Sequence, residues 1–218
     1  MIKSRKIGII GRGQVARTLG HGLLALGHTV MLSSRDITKL SDWKEKGGEN
    51  ALVGSFKEAA EFGDILVLAV SGRVATEAIE SAGPQYFNGK TVIDPTNPIS
   101  ENPPVNGVLS FFTGPDESLM EILQARYPEA NFVKAFNSVG SAYMVNPSFK
   151  EGKPSMFICG NNEEAKAEVV EILDAFGWED VDMGMAIAAR AIEPLCILWC
   201  IPGFLRNEWN HAFKLVKA

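Results

Sequence analysis

The sequence is poor in the side chains that carry most hydrolytic, metal and nucleophilic chemistry. Its 218 residues include three histidines and three cysteines. No His-x-x-x-His or C-x-x-C pair, no paired carboxylates and no Ser/His/Asp set occurs at a plausible spacing, so neither a metal site nor a nucleophilic triad suggests itself. An odd cysteine count is a poor disulfide framework and fits a reducing compartment. Cys196 and Cys200 share a helical face at i, i+4, and both are assigned to the core, where free cysteine usually packs.

Excess positive charge is lacking too. The net charge of −5 gives no general attraction to nucleic acid or to anionic membranes. Long hydrophobic runs are scarce. The apolar stretch in "MIKSRKIGII" stops after four residues at Gly11-Arg12-Gly13, too soon for a signal peptide, and "LCILWCIPGFL" (195–205) is too short to span a bilayer and contains Pro202. The expectation is a cytoplasmic protein with neither nucleic acid nor membrane as a partner.

What the chain does have is an alternation of short β-rich runs and longer helical ones. "KIGII" (6–10) is continuously apolar, as in a strand covered on both faces. "QVARTLGHGLLALG" (14–27) carries apolar residues at helical spacing and ends on Gly27, a natural helix stop. Further strands are expected over 28–34, 51–55, 65–70, 90–97 and 131–137. Helices are expected over 56–64, "TEAIESAG" and "DESLMEILQARYP". This is the rhythm of an α/β fold with a doubly wound parallel sheet of the Rossmann kind over residues 1–138.

Residues 139–218 read as a smaller C-terminal α/β portion serving substrate binding and dimerisation. It comprises "SMFICG" (155–160), a helix over 161–177, "EDVDMG" (179–184) and a long apolar helix in "IAARAIEPLCILWCIPGF". The connection "NPISENPPVNGVLSFFTGPDES" (97–118) exceeds the roughly 12–15 residues of an ordinary loop, and a lid or ligand-contacting loop is expected there.

Gly11-Arg12-Gly13-Gln14-Val15-Ala16 matches G-x-G-x-x-A between the first strand and the first helix. Gly11 permits the tight turn, Gly13 lets the backbone approach a pyrophosphate, and Ala16 lets the helix pack close to the strand. The helix beginning near Gln14 offers unpaired N–H groups to phosphate. A free ribose would be read by a carboxylate at the end of the second strand. That carboxylate is missing, and Ser33 stands about where it belongs. Ser34 supplies a hydroxyl and Arg35 a planar charged fork. Lys39 adds a point charge, and Arg12 faces the same pocket from the glycine turn. Asp36 is assigned to a helix N-cap pointing away from the phosphate. The expected cofactor is NADP(H).

Ligands of an open parallel sheet bind beyond the carboxyl ends of its strands. Val70 and Ser71, after the fourth strand, are expected to pass the cofactor's ribose and pyrophosphate. Thr96 and Asn97, after the fifth, are expected near the nicotinamide, and Ala135 and Asn137 follow the sixth. Lys134 and Tyr143 are the only proton donors that fall near this cleft, and Lys134 lies within a strand, where a structural or ion-pair lysine is expected. No catalytic side chain is assigned. A flavin-like acceptor needs no such donor, because hydride goes directly to a ring atom that delocalises the charge.

Together these residues resemble the NADPH-dependent reductases of coenzyme F420, and the STEAP-type membrane ferric reductases carry a related cytosolic domain. The likeness covers nearly the whole chain. It includes "IGIIGRGQVARTLGHGLLALGHTVMLSSRD", "VKAFNS" and "AARAIEPL" (188–195), with Ser34, Arg35 and Lys39 on the family's 2′-phosphate contacts. Arg12 departs from archaeal members, which tend to carry a small hydroxyl residue there. Arg190 and Glu193, which recur in the family, are equally compatible with an i, i+3 helix pair.

The resemblance implies hydride transfer between NADP(H) and a flavin or deazaflavin, with F420 or FMN as co-substrate. It also implies a homodimer built partly on the C-terminal helix. A β-hydroxyacid or imine reductase of the 6-phosphogluconate dehydrogenase kind would want a catalytic lysine in a glycine-rich helix motif and a long all-helical C-terminal domain. Neither is present. A non-catalytic NADPH sensor stays open.

Overall fold

The computed structural model describes residues 3–217. Eight strands form one sheet in the order β3-β2-β1-β4-β5-β6-β7-β8. In chain order they are β1 (Lys6–Ile10), β2 (Thr29–Ser33), β3 (Ala51–Gly54), β4 (Ile65–Leu68), β5 (Thr91–Asp94), β6 (Asn131–Lys134), β7 (Ser155–Gly160) and β8 (Glu179–Asp182). Every pairing is parallel except β6 with β7. The exception has a local cause. Residues 135–154 hold only a short 3-10 turn, Ser141–Tyr143, and no crossover helix carries the chain back for a parallel return.

Two apolar cores lie on opposite faces of this sheet. Helices α1 (Gln14–Ala25), α2 (Ser41–Gly47) and α6 (Glu163–Ala175) bury Leu19, Leu23, Trp43, Val169 and Leu173 against Ile7 and Ile9 of β1. On the other face α3 (Phe56–Phe62), α4 (Ala75–Ala82) and α5 (Leu119–Arg126) pack beside Ile10, Leu66 and Leu68. Burial of each large aliphatic side chain stabilises the fold by about 1.5–3 kcal/mol. The short α2 is not expected from the sequence. "SDWKEKG" has no apolar period, and Trp43 alone anchors it, fully buried with its indole N–H donating to Leu52 O at 3.0 Å.

The long C-terminal helix is present in two pieces, α7 (Ala189–Ile192) and α8 (Leu195–Arg206), preceded by a 3-10 turn over Ala186–Ala188. Pro194 has no N–H to offer, and Cys196 N bonds Glu193 O in a tightened turn at the junction. Taken together, Ala186–Arg206 is long and apolar enough to cross a membrane, its most apolar 18 residues having a mean hydropathy of 1.5. That span is longer than the 195–205 run that the sequence suggests. It carries the buried carboxylate of Glu193, however, and seats Ile192, Cys196 and Trp199 on the rest of the chain.

The 97–118 connection is a hydrogen-bonded hairpin. Ser100 N donates to Ser110 O, Phe112 N to Pro98 O, and Val105 and Val108 exchange both backbone bonds. Asn106 and Gly107 between them have φ values of 50° and 81°, the paired positive values of a type I′ turn. The tip rests on α8. A Cβ at Gly107 would lie 3.0 Å from Leu205 Cγ.

Candidate functional site

The exits of five neighbouring strands build one cleft of about 580 Å³ at the carboxyl edge of the sheet. Gly11, Arg12, Gly13, Gln14 and Val15 line it after β1, and Ser34, Arg35, Asp36 and Lys39 after β2. Phe56 lines it after β3, Val70, Ser71 and Val74 after β4, and Pro95 after β5.

The two glycines of the turn answer to different demands. Gly11 has a φ of 133°, and a Cβ there would stand 2.1 Å from Ala69 O, so the protein itself requires glycine. Gly13 has an ordinary φ of −70°, and a Cβ on it would meet no atom within 4 Å. Nothing in the protein demands glycine at 13; the open space above it does if a ligand backbone lies there. No side chain caps α1, which leaves its first-turn N–H groups free to face that space. Gly13→Ala is therefore expected to leave the melting temperature within about 2 °C, in line with neutral surface substitutions, while weakening dinucleotide binding about tenfold or more in a fluorescence titration. Equal binding by the variant would show that Gly13 faces solvent rather than a ligand.

At the end of β2 the serines have separate tasks. Ser33 is fully buried, and its hydroxyl donates to Ile9 O at 2.6 Å, clamping β2 to β1. Ser34 Oγ accepts from Asp36 N at 3.0 Å and lines the cleft. The Arg35 side chain is 81% exposed, with Glu77 3.8 Å away. Asp36 caps the following 3-10 turn by accepting from Thr38 N, as expected. It does not point wholly away from the cleft, because its second oxygen lies 3.6 Å from Lys39 Nζ and the residue lines the wall. Thr38 and Lys39 hold its carboxyl below the usual carboxylate range. Arg17 escapes the sequence reading. It grips Asp42 with two nitrogens and donates to Lys39 O and Arg12 O, fastening the glycine turn to the segment that carries Lys39.

Thr96, Asn97, Ala135 and Asn137 do not line this cleft; they stand further along the same sheet edge, at the exits of β5 and β6. Thr96 is buried with its hydroxyl on Asp94 Oδ1, and Ala135 is buried with its N–H on Asp94 O. Asn97 Nδ2 donates to Asn137 O, and Asn137 Nδ2 donates to Asn97 Oδ1 and Ile192 O. Phe136, at a φ of 64°, makes the sharp turn that presents Asn137 to Asn97, a conformation uncommon for an aromatic residue. Asn137 Oδ1 stays buried with no donor, an unmet acceptor behind the exits of β5 and β6.

Behind this edge lies a buried ionic cluster. Lys134 Nζ, fully buried, stands 2.7 Å from Asp94 Oδ2 and 2.9 Å from Glu193 Oε1, and donates to Thr96 O at 2.9 Å. The Asp94 Oδ2 contact is charge–charge, without a well-aligned hydrogen bond. Burial pulls the Lys134 ammonium toward neutrality, but the two carboxylates outweigh it and the pKa is raised. Lys134 is thus an ion-pair lysine, enclosed and unavailable as a proton donor. Tyr143 lies in a separate concavity with Trp199 and Trp209.

Arg190 and Glu193 do not form the i, i+3 pair that their spacing allows. Arg190 forks onto Glu121 at 2.8–3.1 Å, which holds the Glu121 carboxyl below its usual range. Glu193 accepts from Leu119 N and Met120 N at the start of α5. The motif straps α7 to the N-terminus of α5 and to β6.

The family model for NADP oxidoreductase, coenzyme F420-dependent, matches residues 6–98, which contain every lining residue of the cleft. Metalloreductase STEAP3 of Rattus norvegicus is 30% identical over 204 residues, covering 92% of this chain and 39% of that protein. The F420-dependent NADP reductase of Methanocaldococcus jannaschii is 27% identical, covering 87% of this chain and 88% of that one. The chain spans about two fifths of the length of the metalloreductases it matches. Among solved structures, a candidate F420-dependent NADP reductase from Arthrobacter sp. FB24 superposes with a TM-score of 0.90 at 29% identity over 98% of this chain and all of that one. An imine reductase from Myxococcus stipitatus, at 15% identity and a TM-score of 0.66, shares the fold.

Proposed function

We propose that this chain, whose residues 6–98 match the family model for NADP oxidoreductase, coenzyme F420-dependent, transfers hydride between NADPH and a flavin or deazaflavin ring. One observation carries the cofactor half of this reading. Ser34, Arg35 and Lys39 converge on the same cleft as the glycine turn, and the second strand ends on Ser33, whose hydroxyl is spent on β1 rather than on a ribose-reading carboxylate. A 2′-phosphate fits this cradle; a carboxylate at that position would repel it.

The nicotinamide ring supplies the hydride when the cofactor is bound. The chain's own part is to bind and orient. The α1 N-terminus and the space over Gly13 take the pyrophosphate, and Val70 and Ser71 flank it. Lys134 is enclosed and Tyr143 lies in another concavity, so neither stands ready to protonate a ketone, which favours an acceptor that needs no proton donor. F420 and FMN are the acceptors to offer.

The protein acts as a cytoplasmic homodimer in this reading, without nucleic acid or membrane. Leu205, more than half exposed, adjoins Gly107 at the hairpin tip, Ile187 and Leu198 are exposed to the same degree, and Val105 and Val108 flank the tip; a second copy would cover this apolar surface. Steady-state oxidation of NADPH and NADH with each acceptor, on a sample whose mass is fixed by light scattering, tests the proposal. Turnover with NADPH at dimer mass is the expected result. NADPH binding without turnover by either acceptor would turn the reading toward the sensor.

A further inference from the structure

An apolar slot adjoins the 2′-phosphate cradle, and the molecule's packing does not account for it. Phe56, Val70, Val74 and Ala78 form its walls, Arg35 closes one side, and its free volume is about 90 Å³. Val74 is 42% exposed, although it sits on a short turn directly after β4. The slot and the main cleft share Arg35, Phe56, Val70 and Val74, so a group bonded to a ribose in the cradle reaches it directly. In an NADP molecule that group is the purine. One carboxylate stands at its rim: Glu77, 3.8 Å from the Arg35 guanidinium.

We infer that this slot takes the adenine ring and that Glu77 reads its exocyclic amino group, making Glu77 a specificity-determining residue for the base. The inference rests on the cofactor reading above. The physical logic is direct. Arg35 lies between phosphate and purine, its edge able to donate to the phosphate and its face to cover the ring. The amino group at the 6-position of adenine donates to a carboxylate. Hypoxanthine carries a carbonyl oxygen at that position, which a carboxylate repels. Glu77 also stands in the first turn of α4, where its charge suits the helix dipole. That role alone would not distinguish two bases.

The test compares binding of NADPH, NADH and reduced nicotinamide hypoxanthine dinucleotide phosphate by fluorescence titration, in the wild type and in Glu77→Gln. The wild type is expected to bind the hypoxanthine dinucleotide about tenfold more weakly than NADPH, the scale of one charge-assisted hydrogen bond. In Glu77→Gln the two should bind within about twofold of each other, because an amide can donate to the carbonyl oxygen. Equal binding of both by the wild type, with NADH weaker, overturns the Glu77 assignment and leaves the 2′-phosphate cradle standing. Discrimination that survives in Glu77→Gln also overturns it. Failure of all three dinucleotides to bind removes the cofactor reading and this inference together.

Discussion

Arg35→Ala is expected to raise the dissociation constant for NADPH by about 30-fold and that for NADH by no more than about two- to fivefold. The larger figure is the loss of a charge-assisted, forked contact to phosphate, about 1.5–3 kcal/mol, where 1.4 kcal/mol is a factor of about ten. The smaller figure is the loss of a guanidinium face over the purine, about 0.5–1 kcal/mol at an exposed site. Arg35 fits this arithmetic because it is largely free. Its one carboxylate partner, Glu77, is 3.8 Å away and itself 69% exposed, and such surface pairs are worth little. Isothermal titration with both dinucleotides at one ionic strength separates the two terms. Parallel losses for NADPH and NADH would show that Arg35 serves the base or the overall field and not the 2′-phosphate.

Lys134→Met is expected to destabilise the fold by about 3–5 kcal/mol, the scale for removing one partner of a buried ion pair. Methionine fills much of the lysine volume, so the loss arises from charge. Asp94 and Glu193 would remain, essentially fully buried, with no ammonium between them. For a domain of this size the melting temperature should fall by about 10 °C. The pH dependence has a definite sign. The Lys134 pKa is raised above 10.5 in the folded protein, so its contribution is complete below the unfolded value and is lost only as pH climbs through the folded one. The stability that Lys134 itself contributes to the wild type should therefore stay constant from pH 6 to 9 and be lost only in strong alkali. A gap between wild type and variant below about 1 kcal/mol at pH 7 would mean that the cluster is close to neutral in stability and serves some other end.

Local signals made half of this molecule legible and tertiary partners concealed the rest. β1, the glycine turn and α1 were readable because an apolar run, two glycines and a 3.6-residue period coincide within twenty residues. The place of Ser34, Arg35 and Lys39 along the cleft is legible because the loop that leaves β2 must open onto the carboxyl edge of the sheet. The apolar lining of the cleft, Phe56 and Val74, carries no motif; each stands in a short segment beyond a strand exit. Trp43 shows the limit for helices, since one buried indole fixes α2 without any period. Arg190 and Glu193 show the limit for charges. Their spacing permits a mutual pair, yet Glu121, Lys134 and the amides of α5 outcompete it, and none of these is near them in sequence. The hairpin at 97–118 has the Pro-, Asn- and Gly-rich composition of a long loop, although Asn106-Gly107 is itself a strong hairpin turn signal.

The central claim is direct hydride transfer from NADPH to an acceptor ring with no proton relay through a side chain. Its most direct test is a turnover in ordinary water with NADPH carrying deuterium at the transferring C4 position and the deazaflavin as acceptor, followed by mass spectrometry of the reduced deazaflavin. The account predicts that the label arrives intact on the ring carbon. Turnover in which the reduced ring carries only solvent hydrogen would contradict it.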